Sequence, residues 1–186
     1  MLKHWPVVES VVEKDFRIFS LRRDRAVSPR TGAAHDFFVL ETRDWVNVIP
    51  VTPDGDVVMV RQYRHGIRQL TLEIPGGIVD HESEDPMDAA GRELLEETGY
   101  RAGRIVHLGS VQAQPALQNN FCHTYLALDA ERVAEPDPDA GEDLQVVRFP
   151  LDDVPRRIRT GEISHGLVLA AFYWYELWLK EGAPGR

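Results

Sequence analysis

Alternating apolar and polar positions run through the first two-thirds of the chain and predict β-strands there. The strand candidates are Val8–Glu13, Phe16–Arg23, Phe37–Glu41, Val46–Thr52, Val57–Tyr63, Leu70–Ile74, Ile105–Gln112, Cys122–Leu128 and Leu144–Phe149. Two other segments, Pro86–Thr98 and Ser164–Lys180, are predicted to be helices from their apolar spacing and end signals.

The ends of the first predicted helix are well marked. Asp85 suits the N-cap, Pro86 suits the first helical position, and Gly99 supplies a stop. The second helix has one apolar face, made by Leu167, Ala170, Ala171, Trp174, Leu177 and Trp178. We therefore expect the second helix to be a core element whose aromatic residues pack rather than bind.

The chain of 186 residues is long enough for one domain, or for one domain with a small appendage. Its formal net charge of −9 argues against a nucleic-acid partner, but a divalent cation can still attract a single nucleotide. The longest apolar run, Leu167–Leu179, is 13 residues long and contains Glu176, so we expect no membrane span. With a single cysteine, Cys122, and no apolar N-terminal leader, these features predict a cytoplasmic protein.

Three glutamates crowd one side of the first predicted helix. Glu93 and Glu97 are four residues apart and Glu96 lies between them, so their carboxylates share a face. Like charges at this spacing destabilise a helix, and the helix dipole disfavours anions at this end. Two explanations stay open: a solvated acidic face, or a site for a hard divalent cation such as Mg²⁺.

The residues around this helix resemble the Nudix box, whose form is G-x5-E-x7-R-E-U-x-E-E-x-G-U, with U a bulky apolar residue. Glu84, seven further residues and the run Arg92–Tyr100 match the pattern after its first gap. The fixed identities of such a match arise by chance at about 10⁻⁷ per start site. Between Gly77 and Glu84 there are six residues instead of five, and the extra one falls in the loop before the helix.

Further segments resemble the ADP-ribose pyrophosphatase branch of this family. Val60–Arg64 and Leu72–Gly77 are similar to its lead-in, and Gly141–Val146 is similar to its late acidic loop. A proline about fifteen residues after the box corresponds to Pro115, although the usual Pro-Gly is here Pro115-Ala116. The resemblance spans roughly residues 45–180.

The resemblance implies an α/β fold, the Nudix α/β/α sandwich, with a mixed β-sheet between the box helix and the C-terminal helix and with extra N-terminal strands. It also implies two parts. Residues 1–44 are the N-terminal strands, which build a dimer in this branch, and residues 45–186 are the Nudix hydrolase domain. The expected state is therefore a homodimer.

The reaction that the resemblance implies is metal-dependent hydrolysis of the diphosphate bond of nucleoside diphosphate sugars. ADP-ribose comes first, and its products would be AMP and ribose 5-phosphate. The implied cofactor is Mg²⁺, with Mn²⁺ as a possible replacement. Two alternatives stay open: a broad or GDP-mannose-type sugar-nucleotide hydrolase, and a sensor that binds a nucleotide without cleaving it.

The resemblance also implies roles for the acidic residues. The implied metal ligands are Glu93, Glu96, Glu97 and the backbone carbonyl of Gly76. The implied structural supports are Gly77 and Glu84. Arg92 would orient the carboxylates through a salt bridge that includes Glu84. Glu142 is the candidate base that activates water; an exposed loop charge is the alternative, and Asp139 and Asp143 are the other candidates.

The remaining candidates are substrate contacts. Arg64 would bind the diphosphate as a planar fork, and Arg61 either does the same or is a solvated strand residue. Trp45 either stacks on a base or packs in the core. Glu73 either contacts substrate or metal-bound water, or pairs across strands. Pro115 favours ADP-ribose as the substrate.

Overall fold

The computed structural model describes residues 2–81, 83–139 and 141–182. The chain forms two compact units. One consists of residues 1–43 and 112–121, and the other consists of residues 44–111 and 122–186. The first unit thus combines the N-terminal strands with a segment from the middle of the chain.

The first unit contains a three-stranded antiparallel sheet in the order β1-β2-β3. Its strands are β1 (Val7–Asp15), β2 (Ser20–Val27) and β3 (Ala34–Glu41). The predicted strand Phe16–Arg23 begins too early, because residues 16–19 form the turn between β1 and β2. The backbone N–H of Phe16 donates to the carbonyl of Phe19 at 2.8 Å there. Apolar residues in a tight turn imitate the strand pattern, which explains the error.

The second unit contains most of the remaining elements. Its strands are β4 (Trp45–Pro50), β5 (Asp56–Arg64), β6 (Gln69–Glu73), β7 (Gly76–Ile78), β8 (Tyr100–Arg101), β9 (Arg104–Gln112), β10 (Phe121–Leu128), β11 (Glu131–Arg132) and β12 (Leu144–Pro150). Its helices are α1 (Pro86–Thr98), α2 (Val154–Arg159) and α3 (Gly166–Lys180). Three short strands, β7, β8 and β11, and the short helix α2 were not predicted, because two to six residues carry too little periodic signal.

The central sheet of the second unit is mixed, as expected. Its order is β7-β4-β10-β9, with β4 and β10 parallel and β4 and β7 antiparallel. An antiparallel sheet in the order β12-β5-β6 accompanies it. The two strands β8 and β11 form a small antiparallel pair of their own.

Two apolar clusters place the helices on opposite sides of β4. Val46 and Val48 pack with Leu94 of α1, whereas Ile49 belongs to the cluster that contains Phe172 of α3. Successive strand residues point to opposite faces, so α1 and α3 cover different sides of the sheet. The expected α/β/α sandwich is therefore confirmed. No helix in the described ranges is long and apolar enough to cross a membrane.

Helix α1 has the predicted bounds, and both of its caps are formed. The side chain of Asp85 accepts from the backbone N–H of Met87 at 2.8 Å. Gly99 adopts φ 75°, a conformation that favours glycine, and its N–H donates to Leu95 O at 2.8 Å. Because the ends are fixed, the last two turns of α1 carry their glutamates toward β7.

Candidate active site

Arg92 connects the acidic residues of α1 with the loop that precedes the helix. Its Nη1 donates to Glu93 Oε1 at 2.9 Å and to Glu96 Oε2 at 3.0 Å. Its Nε donates to Glu84 Oε1 at 3.1 Å, and its Nη2 donates to Ile78 O at 3.2 Å. The expected pair of Arg92 and Glu84 is thus present, and one guanidinium fixes three carboxylates.

Glu84 is held in its charged form. A burial penalty raises its pKa, but the hydrogen bond from Arg92 and the backbone N–H of Asp80 outweigh it, so the net pKa is lowered. The Asp80 N–H lies 2.6 Å from Glu84 Oε2. Arg92 joins the loop before α1 to the helix, and the Asp80 N–H makes a hydrogen bond within that loop.

Glu97 is a buried carboxylate, Glu93 is a half-buried one, and both have raised pKa values. Burial raises the pKa of Glu97 to about 8, and the charges of Glu93 and Glu142 add to this while the N–H of Gly76 opposes it. That N–H donates to Glu97 Oε2 at 3.1 Å. Burial likewise raises the pKa of Glu93 to about 7, and Arg92 only partly offsets the effect. Both groups therefore resist ionisation unless a cation joins them.

Gly77 allows β7 to approach α1 closely. A Cβ atom at this position would lie 2.3 Å from Glu93 Oε1 and 2.5 Å from its carboxylate carbon. Such distances are well inside van der Waals contact, so a side chain at this position would displace the Glu93 carboxylate. Glycine here therefore allows the Glu93 carboxylate to lie against the strand.

Arg64 and Glu73 form a second charged group in the same unit. Arg64 donates from Nε to Glu73 Oε1 at 2.8 Å and from Nη2 to Glu73 Oε2 at 2.7 Å. Thr71 Oγ1 donates to Glu73 Oε1 at 2.7 Å. Burial alone would raise the pKa of Glu73, but these hydrogen bonds lower it below its ordinary value. The charges of Glu97 and Glu142 also act on Arg64, so the Arg64–Glu73 pair lies near these acidic residues.

A cleft of about 640 Å³ opens beside these groups. The starts of β4 and β7, the turn after β5 and the start of α3 form its walls. The predicted site residues that line it are Trp45, Arg64, Glu73, Gly76 and Gly77. Two of its lining residues contact the acidic residues of α1, because Gly76 donates to Glu97 and Gly77 lies against Glu93.

The acidic residues of α1 supply the oxygen ligands that a divalent cation takes. In the described residues, however, they are not arranged as a complete metal site. The described residues contain no group of three or more His, Cys, Asp or Glu arranged for a metal ion. Instead, Arg92 binds Glu93 and Glu96, and Gly76 binds Glu97. Carboxylate oxygens are the ligands that Mg²⁺ and similar ions prefer, and a cation would stabilise the charges that burial disfavours.

Comparison with known proteins identifies the family. The model of the NUDIX domain matches residues 41–172. The chain belongs to the Nudix family. Proteins of this family generally depend on a divalent metal ion, which agrees with the carboxylates on the Nudix helix α1.

Relatives of this Nudix chain include proteins named as pyrophosphatases. It is 31% identical over 154 residues to the ADP-ribose pyrophosphatase of Mycobacterium tuberculosis, covering 82% of this chain and 74% of the relative. It is 34% identical over 150 residues to the ADP-sugar pyrophosphatase of Mus musculus, covering 75% and 68%. The fold is similar to the crystal structure of an ADP compounds hydrolase, with a TM-score of 0.86, 22% identity and coverage of 98% and 97%.

The structure separates the remaining candidates of the Nudix site. Glu142 lies in the exposed loop before β12, and its charge acts on Glu93 and Glu97. Arg61 lies outside the cleft wall, with its Nη2 3.8 Å from Glu162 Oε1. Pro115 lies in an exposed turn of the first unit.

The other candidates for the base are Asp139 and Asp143. Asp139 accepts a backbone hydrogen bond from Glu142 at 2.8 Å, and Asp143 is exposed. The loop between Gly77 and Glu84 contains the extra residue of the Nudix box. Glu82 of that loop lies outside the described residues.

Thr71 is one of the cleft residues that sequence reasoning missed. It could have been found, because residues two apart on a strand share a face and Thr71 precedes Glu73 by two. Asn47 and His165 also line the cleft. They are far apart in the sequence and belong to different elements, so no local spacing signals their proximity.

Proposed function

We propose that this Nudix chain hydrolyses the diphosphate bond of nucleoside diphosphate sugars, with ADP-ribose as its first substrate and AMP and ribose 5-phosphate as products. The observation that carries the proposal is the cleft itself. Arg64 lines it together with Gly76, which donates to Glu97, and Gly77, which lies against Glu93, and the charges of Arg64 and Glu97 act on each other. The names of the two pyrophosphatase relatives support the same substrate class.

Mg²⁺ is the proposed cofactor, and Mn²⁺ is expected to replace it. The proposed ligands are Glu93, Glu96, Glu97 and the backbone carbonyl of Gly76. When bound, a divalent cation neutralises the diphosphate oxygens and lowers the pKa of a coordinated water. Arg92 is a positioning residue, because it holds Glu93 and Glu96 in place without being a ligand itself.

Arg64 is the proposed contact to the diphosphate. Its two hydrogen bonds to Glu73 fix the plane of the guanidinium. The remaining N–H groups can then bind phosphate oxygens with little loss of side-chain entropy. Glu73 therefore acts through Arg64. Trp45 in the cleft wall supplies a flat surface on which a base can stack.

Glu142 is the proposed base. Its charge acts on Glu93 and Glu97, and its exposed loop leaves it accessible to water. The water oxygen forms a bond to one phosphorus, its proton passes to Glu142, and the bond from that phosphorus to the bridging oxygen breaks. The other phosphate leaves with the bridging oxygen, which balances the reaction as a hydrolysis.

We propose that the chain forms a homodimer through its first unit. The three strands and the β1–β2 turn expose large apolar side chains, of which the most exposed are Val7, Val8, Val12, Ile18 and Phe38. A patch of this kind is typical of an interaction surface. A cytoplasmic location is proposed because Cys122 has no cysteine partner within the chain.

The test is a product analysis with a substrate panel. Purified protein is incubated with Mg²⁺ and ADP-ribose, GDP-mannose, UDP-glucose or ATP, with a parallel series in EDTA. We expect AMP and ribose 5-phosphate from ADP-ribose, and no product in EDTA. Equal cleavage of all the sugar nucleotides would make the enzyme a broad hydrolase. Tight binding of ADP-ribose without cleavage would contradict the proposal and favour a sensor.

A further inference from the structure

The start of α3 forms one wall of the cleft. This helix of 15 residues begins at Gly166, and His165 occupies the N-cap without a capping hydrogen bond from its side chain. The first turn contains no acidic residue. The N–H groups of a first turn have no partner inside the helix, and the helix dipole makes them strong donors. Residues 164–168 line the cleft, so donors are available on this wall.

Two buried polar atoms on the same wall lack a partner among the residues that the structure describes. Asn47 is 7% exposed, and its Nδ2 donates to Leu167 O at 3.4 Å. Its Oδ1 is buried without a hydrogen bond, and so is Nδ1 of His165. Both residues line the cleft. Most buried polar atoms in proteins are paired, so two unpaired atoms at one cleft wall point to a ligand that completes them.

We infer that Asn47, His165 and the first turn of α3 bind the adjacent hydroxyl groups of a ribose ring in the substrate. This inference rests on the proposed function and names a group that the cleft recognises. Asn47 Oδ1 is an acceptor, the N–H groups of α3 are donors, and His165 Nδ1 can be either. A phosphate group offers mainly acceptors and would leave Asn47 Oδ1 unpaired. A pair of hydroxyl groups donates and accepts, and therefore matches the whole set.

The location agrees with a ribose beside the diphosphate. The charge of His165 acts on Glu73, which holds the proposed diphosphate contact Arg64. In ADP-ribose both ribose rings are joined to the diphosphate through one methylene group and one oxygen. Either the nucleoside ribose or the terminal ribose can therefore present its hydroxyl groups to this wall.

Two analogues distinguish these sources. The butyl ester of ADP lacks the terminal ribose, and the 2′,3′-dideoxyadenosine form of ADP-ribose lacks the nucleoside hydroxyls. We expect the wild-type protein to cleave one of them at least tenfold less efficiently than ADP-ribose, judged by kcat/KM. In His165→Ala and in Asn47→Ala the efficiency for ADP-ribose falls about tenfold, whereas the efficiency for that analogue does not change.

Control variants distinguish a loss of ribose recognition from a loss of folding. Tyr173→Ala removes an exposed side chain of the same helix outside the cleft and should change neither efficiency. His165→Phe keeps a ring in place and should behave like His165→Ala. It keeps the test valid if the His165→Ala protein does not fold. Thermal unfolding verifies that each variant is folded.

The outcomes are distinct. Equal losses for ADP-ribose and both analogues in the folded His165 variants would overturn the inference, and so would a wild-type protein that does not discriminate against either analogue. A wild-type protein that cleaves none of the three substrates in Mg²⁺ would instead contradict the proposed function.

Discussion

Glu73 and Glu97 are equally buried glutamates with opposite electrostatics. Their exposed fractions are 3% and 2%. The pKa of Glu73 is nevertheless lowered, whereas the pKa of Glu97 is raised to about 8. Burial raises the pKa in both cases, so the difference comes from the partners of each carboxylate.

The partners explain what each carboxylate can do. Glu73 receives two hydrogen bonds from Arg64 and one from Thr71, which stabilise its charge. Glu97 receives a backbone N–H from Gly76 and faces the negative charge of Glu93. Glu73 thus has a hydrogen-bonded cation within the chain, whereas the hydrogen bond to Glu97 comes from a neutral backbone group. The comparison separates a structural ion pair from a proposed metal ligand.

The largest effect is expected for Glu97→Gln. The variant should lose about 1,000-fold in kcat for ADP-ribose in Mg²⁺, because it removes a proposed metal ligand. Its free energy of unfolding in EDTA at pH 8 should stay equal or increase, because a neutral amide replaces a carboxylate that burial disfavours. Steady-state kinetics and urea unfolding measure the two quantities.

The matched control for this prediction is Asp88→Asn, which also removes an acidic charge from α1 but at an exposed position. It should change activity less than twofold. A Glu97→Gln protein that turns over ADP-ribose at the rate of the Asp88→Asn protein would contradict the assignment of Glu97.

A smaller loss is expected for Arg92→Lys. Lysine retains the positive charge but cannot donate to Glu84, Glu93 and Glu96 with one planar group. We expect kcat/KM to fall about 10- to 100-fold, with weaker apparent affinity for the cation, because the ligands are less well oriented. A titration of activity against Mg²⁺ concentration checks this. Unchanged Mg²⁺ dependence would show that Arg92 does not position the ligands.

Glu73→Gln should reverse the pattern expected for Glu97→Gln, because it lowers stability and changes kcat less. It leaves the guanidinium of Arg64 without its carboxylate, so the free energy of unfolding should fall by about 2 kcal/mol. KM for ADP-ribose should rise because Arg64 loses its orientation, while kcat changes less. Urea unfolding and kinetics test both. A variant as stable as the wild type would show that the ion pair contributes no net stability.

The smallest effect is a pH dependence of stability without divalent cations. Glu93 and Glu97 hold their protons up to about pH 7 and 8 when folded, well above the ordinary carboxyl value of 4.5. The folded state therefore binds more protons between about pH 5 and 8, and stability falls as the pH rises through this window. Glu73, whose pKa is lowered, loses its contribution only below this window.

Thermal unfolding in EDTA measures this slope. We expect Tm to fall by about 5 °C from pH 5.5 to 8.5 in the wild type, and by less in Glu97→Gln. Equal slopes in the two proteins would rule out Glu97 as the source. Adding Mg²⁺ at pH 8 should restore Tm more than adding it at pH 6, because the ionised carboxylates bind the cation.

The features predicted from sequence are those with local signals. Helix α1 has the predicted bounds because Asp85 and Gly99 act on their immediate neighbours. The common face of the three glutamates follows from helical spacing alone. The opposite sides of the sheet taken by α1 and α3 followed from the resemblance to the Nudix box.

Features that depend on distant contacts were not predicted. The sequence analysis left open whether Glu73 pairs across strands, and nothing in the sequence identified Arg64 at the end of β5 as its partner. The unpaired atoms of Asn47 and His165 appear only when β4 and α3 come together. The segment 112–121, which runs from the last residue of β9 to the first residue of β10, joins the N-terminal unit.

The contrast between Glu73 and Glu97 is tested most directly by Mn²⁺ binding. Electron paramagnetic resonance measures free Mn²⁺ during a titration of wild-type, Glu97→Gln and Glu73→Gln proteins at pH 8. We expect Glu97→Gln to bind Mn²⁺ at least tenfold more weakly than the wild type, and Glu73→Gln to bind within about twofold of it. Wild-type affinity in Glu97→Gln, or an equal loss in both variants, would contradict the account.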